Sequence, residues 1–420
     1  MSTIVIGAGP AGIGAALALG ERATVLERAA SSGGLAGTIE LDGAVFDLGG
    51  HSFHTPHAEI REVVFKALPM EEQERQAWCY VKDEWIPYPF QKHFDRSADP
   101  AMVAECRAGL ERTRPDGEAH NLDEHIECRY GAGIARHFLR PYNEKLWGRD
   151  LTRLAVDWTG ERIASANGGE SATQGQRTPL QADSQVAYPA RGGYGEIFRA
   201  LARRLPGVRF GQSVDAIDLK ARRLTTSSGE RLPWTTLVST LPLPTLLELL
   251  PEAPETLRRS VGKLLALPLR LVLLTLDTRL DSTMQRIYCA GEDFPGHKVV
   301  LNHNSSAYLR SLPRHGILVE VSGADARRRT TADELRNHVV EGLRRMKLLP
   351  EGARITSARV LEVEFGYPVP THDRAAIVEE ARTWLAQRGI HTVGRFGEWA
   401  YINADEALYR GMRLGEALAR

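Results

Sequence analysis

Three glycines decide most of what this chain can become. They stand in Gly7-Ala-Gly9-Pro-Ala-Gly12, directly after the apolar run Thr3-Ile-Val-Ile6 and directly before the alanine-rich stretch Ile13 to Leu19. The run reads as a short parallel strand buried on both faces, and the stretch after the glycines as a helix. In such a loop Gly7 permits the tight turn, Gly9 lets the backbone approach a pyrophosphate, and Gly12 lets the helix pack closely on the strand, with the anion resting on the helix N-terminus. The second strand, Ala23-Thr-Val-Leu26, ends in Glu27, about twenty residues beyond Gly7, where a carboxylate accepts the ribose hydroxyls. The spacing predicts a Rossmann-type dinucleotide site at the N-terminus.

Two further glycine patches narrow the dinucleotide to FAD. Ser31-Ser-Gly-Gly-Leu-Ala-Gly37 follows soon after Glu27, and Phe46-Asp-Leu-Gly-Gly50 comes next. This succession resembles the flavin branch of dinucleotide folds, the amine oxidase and protoporphyrinogen oxidase superfamily. Gly211-Gln-Ser-Val214 resembles the segment whose Val backbone meets the adenine, and Val238-Ser-Thr-Leu-Pro242 the strand that re-enters the FAD domain. Thr392-Val-Gly-Arg-Phe-Gly397 precedes a pattern that fits a helix over Ala404 to Ala419. The resemblance implies FAD contacts from Gly7, Gly9, Ala11, Gly12, Glu27 and Arg28 at the N-terminus. It adds Gly34, Leu35, Gly49 and Val214, and at the C-terminus Gly394, Arg395, Tyr401 and Asn403.

The chain has 420 residues, too long for one core and enough for two or three packed units. We expect an α/β fold with a discontinuous Rossmann-type FAD-binding domain (1–90, 185–245 and 375–420), a mostly helical substrate domain (91–184) and a mixed β-sheet domain covering the flavin (246–374). Leu264 to Leu276, which carries Pro268 and Arg270, reads as a buried strand, Thr331 to Met346 as a helix, and Gly168 to Asp183 as a loop. Lys plus Arg and Asp plus Glu both total 53, so no global field attracts a polyanion and nucleic acid is not an expected partner. Phosphate binding must come from a few placed cations. Cys79, Cys106, Cys128 and Cys289 form no CxxC pair, which fits reduced thiols rather than a disulfide framework or zinc site. No stretch reaches the ~18 apolar residues of a membrane span, so no membrane partner is expected and the cytoplasm is the expected address. Oligomeric state leaves no trace in the sequence.

The residues around the flavin carry the chemistry. Tyr88 and Phe90 offer flat faces for a base and Gln91 a paired donor and acceptor for its edge; the same Trp85-to-Phe90 segment also reads as ordinary aromatic core. Arg162 is either a surface cation or a bidentate donor to a diphosphate. Tyr367 and Tyr401 offer hydroxyls to the same phosphates or pack in the core. His51, after two glycines, reads as a turn residue or a group near the flavin edge, and not as a general base.

Over nearly its whole length the chain resembles the UDP-galactopyranose mutase family. Gly49-Gly-His51-Ser-Phe-His54-Thr resembles the histidine loop under the isoalloxazine, and Trp85-Ile-Pro-Tyr88-Pro-Phe90-Gln91 the uracil-binding segment. Arg140-Pro-Tyr-Asn143-Glu-Lys-Leu-Trp147 and Trp158-Thr-Gly-Glu-Arg162 are similar to the helix pair that supplies a diphosphate-binding arginine. Tyr188-Pro-Ala-Arg-Gly-Gly193, Phe365-Gly-Tyr367-Pro-Val-Pro370 and Gly394-Arg-Phe-Gly-Glu-Trp-Ala-Tyr401-Ile-Asn403-Ala-Asp405 complete the likeness. It implies a nucleotide-diphosphate sugar held by Tyr88, Phe90, Gln91, Asn143, Trp147, Arg162, Lys298, Tyr367, Arg395, Tyr401 and Asp405. It also implies that reduced flavin N5 attacks the anomeric carbon as the diphosphate leaves, with ring opening and reclosure through a different hydroxyl. His51, Gly50 and Arg395 are the implied catalytic set, the Gly50 carbonyl accepting the proton on reduced N5. Where the family has a second diphosphate arginine and an aromatic after it, this chain has Lys298 and Ser305. Lysine neutralises phosphate as a point charge rather than a fork. That departure is compatible with an amino, deoxy or uronic sugar. The competing expectation is an FAD-dependent oxidase or desaturase. NAD(P)H is a possible reductant, although no second Rossmann motif is visible.

Overall fold

The computed structural model describes residues 3–113, 118–161, 163, 185–323 and 330–420. Thr3–Ile6 is a fully buried strand at the centre of a five-stranded parallel sheet. It pairs with Ala23–Glu27 on one side and Thr236–Ser239 on the other, and Val208–Phe210 and Ile390–Thr392 form the edges. Strands from the start, middle and end of the chain thus share one sheet, as the discontinuous sequence pattern requires. Helix Pro10–Leu19 packs on helix Ala404–Ala419 through small residues. A Cβ on Gly14 would lie 2.2 Å from the Leu408 carbonyl oxygen, and one on Gly411 2.0 Å from that of Ala11. The two backbones touch, which larger side chains would forbid.

The second layer is a seven-stranded mixed sheet. In spatial order its strands are Ile355–Pro368, Ala266–Leu276, Gly316–Val321, Lys298–Val300, Arg286–Cys289, Ala77–Val81 and Glu84–Pro87. All neighbours are antiparallel except Arg286–Cys289 with Ala77–Val81. The expected strand over Leu264 to Leu276 forms, and its register shifts between Leu267 and Leu269. Pro268 has no N–H for the ladder, and a bulge at that point removes the need for one. Helix Ala332–Arg345 opens with a capping box between Thr331 and Glu334 and covers one face of this sheet with Leu335, Val339 and Leu343. The strands Ala77–Val81 and Glu84–Pro87, expected with the flavin unit, extend this sheet instead. Ala77–Val81 alternates buried and half-buried positions, and its free edge is completed by Arg286–Cys289.

The third part is helical: Pro100–Glu111, Leu122–Ile134 and Arg140–Trp147, with a π-helical turn over Ala135–Leu139. Gly131, at φ +74°, brings its backbone against Gly109. The loop expected at Gly168 to Asp183 lies outside the described residues. Among the described residues no helix is long and apolar enough to cross a membrane, and no group of His, Cys, Asp and Glu could hold a metal ion. All four cysteines are free thiols.

Candidate functional site

The nucleotide end is made of backbone. Gly7 has φ +100°, and a Cβ there would meet the Thr240 hydroxyl oxygen at 2.1 Å; one on Gly12 would meet the Gly7 carbonyl oxygen at 1.9 Å. Gly9 differs, since a Cβ on it would find no atom within 4 Å. Its open face lies at the N-terminus of helix Pro10–Leu19, which has no side-chain cap and no acidic residue in its first turn. Open space, bare N–H groups and the positive end of a helix fit the pyrophosphate of a dinucleotide. Glu27 reaches the loop: its carboxylate accepts the Ala8 N–H at 2.7 Å and the Ala29 N–H at 2.8 Å. Gly34 sits beside Gly9, its virtual Cβ 3.5 Å from the Gly9 Cα, and Gly394 (φ +90°) lies against the Ala11 side chain. Arg28 is exposed, and Val214 is buried under the parallel sheet with Ile4, Ile6 and Leu26.

From there a cavity of about 250 Å³ runs between the two sheets and the helical unit. Leu35, Gly49, Gly50, His51, Arg395, Tyr401, Asn403 and Asp405 line it, and so do Tyr88, Gln91, Asn143, Lys298 and Tyr367. Residues expected from distant segments therefore meet in one space. Phe90 and Trp147 do not reach it. Phe90 is fully buried, stacked on Phe138 at 5.0 Å, so the flat face expected for a base is spent on the core. Trp147 is equally buried, edge-on to Tyr401 at 5.5 Å, one layer behind the wall. The facing pair at Tyr88 is instead Tyr88 with Tyr288, stacked at 4.5 Å. Arg162 lies outside the described residues.

A residue that sequence reasoning missed organises the wall. Glu320, 1% exposed, lies at the end of the buried strand Gly316–Val321. Its Oε1 accepts the Gly50 N–H at 2.7 Å and the Lys298 ammonium at 2.9 Å. Its Oε2 accepts the Tyr367 hydroxyl at 3.0 Å and faces His297 Nε2 at 3.4 Å. Burial alone would push this carboxyl up, but Lys298 and His297 hold it well below the usual carboxylate range. The consequence for Lys298 is direct: the charge expected to meet a diphosphate already has a carboxylate partner. The readable signal was a lone carboxylate inside Ile317-Leu-Val-Glu-Val321, a run otherwise fit for a strand buried on both faces.

His51 is stacked on Tyr194 at 5.0 Å. Burial pushes its imidazole down to about 3, against the opposing pull of Glu320, so it is neutral in the physiological range. Arg395 donates to the Ile402 carbonyl from Nε (3.1 Å) and Nη2 (2.7 Å), and its guanidinium lies 5.9 Å from the Tyr367 ring and 6.0 Å from that of Tyr401. Asp405, in the first turn of helix Ala404–Ala419, is 5% exposed, and burial raises its carboxyl to about 6. Two further guanidiniums line the cavity. Arg75 donates to the Tyr288 hydroxyl at 2.6 Å, and Arg286 donates to the His51 carbonyl.

A parallel dinucleotide sheet, an open glycine cradle and a cavity leading under a second sheet define a flavin-binding α/β protein. Comparison with known proteins agrees: residues 10–376 match the model of the flavin containing amine oxidoreductases, and the chain belongs to that family. Among solved structures it is similar to a reduced UDP-galactopyranose mutase, with 26% identity and a TM-score of 0.89 over 99% of this chain and 93% of that one. A putative protoporphyrinogen oxidase from Exiguobacterium sp. 255-15 (15% identity, TM-score 0.76, covering 100% and 98%) shares the fold. So does a putrescine oxidase (15%, 0.69, covering 100% and 99%).

Proposed function

We propose that this chain is a flavin-dependent mutase interconverting the pyranose and furanose forms of a nucleotide-diphosphate sugar, UDP-galactose or a related UDP-sugar. One observation carries the reading: the cavity lined by the Gly49–His51 loop is aromatic, polar and cationic, with Tyr88, Tyr288, Gln91, Arg75 and Lys298 along it. An amine or polyene oxidase calls for an apolar tunnel, whereas a base, a diphosphate and a sugar call for stacked rings, amides and placed cations. The likeness to the reduced mutase over nearly all of both chains supports the same reading.

A reduced flavin bound here supplies a nucleophilic ring nitrogen, and covalent catalysis divides one hard displacement into easier steps. The protein's share is positioning. In this reading Tyr88 and Tyr288 hold the base and Gln91 its edge, while Arg395, fixed by the Ile402 carbonyl, meets the diphosphate beside Tyr401. Glu320 fixes the Gly50 N–H, and with it the loop whose Gly50 carbonyl would accept a hydrogen bond from the reduced cofactor. The Tyr367 hydroxyl donates its one hydrogen bond to Glu320, so it has none to offer a phosphate. His51, being neutral, contributes shape and a ring face rather than a proton.

Nucleotide sugars incubated anaerobically with oxidised and dithionite-reduced protein, followed by chromatography, test the proposal. Furanose product is expected only after reduction, with no reductant consumed per turnover. Substrate-driven bleaching of oxidised flavin, with peroxide formed in air, would identify an oxidase instead. Flavin reduction by NADPH or NADH, followed by absorbance, tests the nicotinamide as reductant.

A further inference from the structure

Arg286 opens the strand Arg286–Cys289 with 2% of its surface exposed, and it lines the same cavity as Gly49, Gly50 and His51. Its Nη1 donates to the Gln285 carbonyl at 2.8 Å and its Nη2 to that of His51. A Cβ on Gly50 would lie 2.9 Å from its Nε, so the guanidinium is pressed against the backbone of the histidine loop. Among the described residues no carboxylate lies within ion-pair distance of it. The charged and titratable groups that face it are Arg75, a second cation, Asp47, the phenols of Tyr188 and Tyr288, and the neutral imidazole of His51. Asp47 is occupied elsewhere, accepting from Thr38, from the Tyr188 hydroxyl and from the Tyr194 N–H. Lys298 has Glu320; Arg286 has two carbonyls and a full positive charge. A buried cation without a counter-charge weakens a fold, and replacing such groups by apolar ones is often stabilising. Its presence against a cofactor loop therefore calls for an anion that arrives with a ligand.

We propose that Arg286 is an electrostatic positioning residue for the flavin, its buried charge favouring the reduced, anionic form of a flavin seated against Gly50 and His51. This rests on the flavin and is independent of the sugar chemistry proposed above. Reduction by dithionite or by a nicotinamide hydride gives FAD + 2 e⁻ + H⁺ → FADH⁻: the proton goes to N5 and the extra negative charge spreads over the pyrimidine ring. A guanidinium in a dry cavity lowers the energy of that charged product and leaves the neutral oxidised ring nearly unaffected. Arg286 thereby biases the flavin toward the state that can act as a nucleophile.

The test is the midpoint potential of FAD-loaded wild type, Arg286→Gln and Arg286→Lys, measured anaerobically by dye equilibration with xanthine oxidase as electron source. In wild type, one proton per two electrons gives a slope of about 30 mV per pH unit, down to about pH 6. Arg286→Gln is expected to shift the reduction equilibrium at least about tenfold, about 30 mV more negative, and to steepen toward about 60 mV per unit at low pH. Arg286→Lys keeps the charge and should stay close to wild type. A Gln variant whose potential matches wild type overturns the proposal. So does a wild-type slope near 60 mV per unit at about pH 6, a result that needs no variant to fold. If Arg286 serves a substrate phosphate instead, the Gln variant raises KM and leaves the potential where it was, which also overturns the proposal.

Discussion

The two ends of the cofactor path are built on opposite principles. At the nucleotide end the site consists of what side chains leave out: Gly7, Gly9 and Gly12 lie within one strand–loop–helix unit, and the cradle is backbone from a single short segment, backed by Thr240 and Gly394. At the chemical end the site consists of side chains delivered from far apart, with Gly50 reaching Glu320 across the chain and Glu320 meeting Lys298 as its cross-strand neighbour. The first kind of site can be lost through one atom. The second is a charge network whose members compensate one another.

The sharpest way to break the comparison is at the loop. Gly12→Ala puts a Cβ 1.9 Å from the Gly7 carbonyl oxygen, and the expected outcome is protein without flavin, read as the flavin-to-protein absorbance ratio. Gly9→Ala meets no atom within 4 Å, so the apoprotein should melt at the wild-type temperature while flavin retention falls. Equal melting losses in both would show that Gly9 is structural.

Glu320→Ala should cost about 3–5 kcal/mol of stability, because it leaves the Lys298 ammonium and the Gly50 N–H buried without their acceptor. The sign with pH follows from the lowered carboxyl. Its contribution is present above the ordinary carboxylate range and is lost as pH falls through the folded value, so wild type should lose more stability in acid than the variant. Urea unfolding at several pH values reads this.

Asp405→Asn works in the opposite direction. A carboxyl raised to about 6 favours folding while protonated, and that contribution fades as pH rises from about 4 to 6. The variant should flatten this window, gaining on the order of 2–3 kcal/mol over wild type above it. An unchanged profile would mean that Asp405 is solvated. Smallest of all, Thr331→Ala removes a capping box on the covering helix, outside the cavity lining, and should cost about 1 kcal/mol with kcat and KM unchanged.

The same contrast explains how much could be read from the chain. The glycine loop, the helix Ala404–Ala419 and the strand over Leu264 to Leu276 were legible because turn chemistry and periodicity act between near neighbours. The cavity residues Tyr88, Gln91, Asn143, Tyr367, Arg395 and Tyr401 were legible through a family likeness, and one space lies between them. Phe90 and Trp147 were misplaced by one layer, since a motif gives a segment's position but not which way a ring faces. Glu320, His297, Tyr288 and Arg286 were missed because their meaning depends on strand pairing. Arg286–Cys289 sits beside Ala77–Val81, and nothing local in either segment specifies that neighbour. For the same reason those two segments were given to different domains.

The contact between helix Pro10–Leu19 and helix Ala404–Ala419 has a consequence in time. Synthesis proceeds from the N-terminus, so the glycine loop leaves the ribosome nearly four hundred residues before the helix that supports it. Until Gly411 and Gly415 arrive, the small-residue face of the first helix is bare, and the edge strand Ile390–Thr392 is missing from the sheet. Cofactor loading therefore waits for helix Ala404–Ala419. A protein truncated before helix Ala404–Ala419 would leave the translation machinery with a cradle that has no wall behind it.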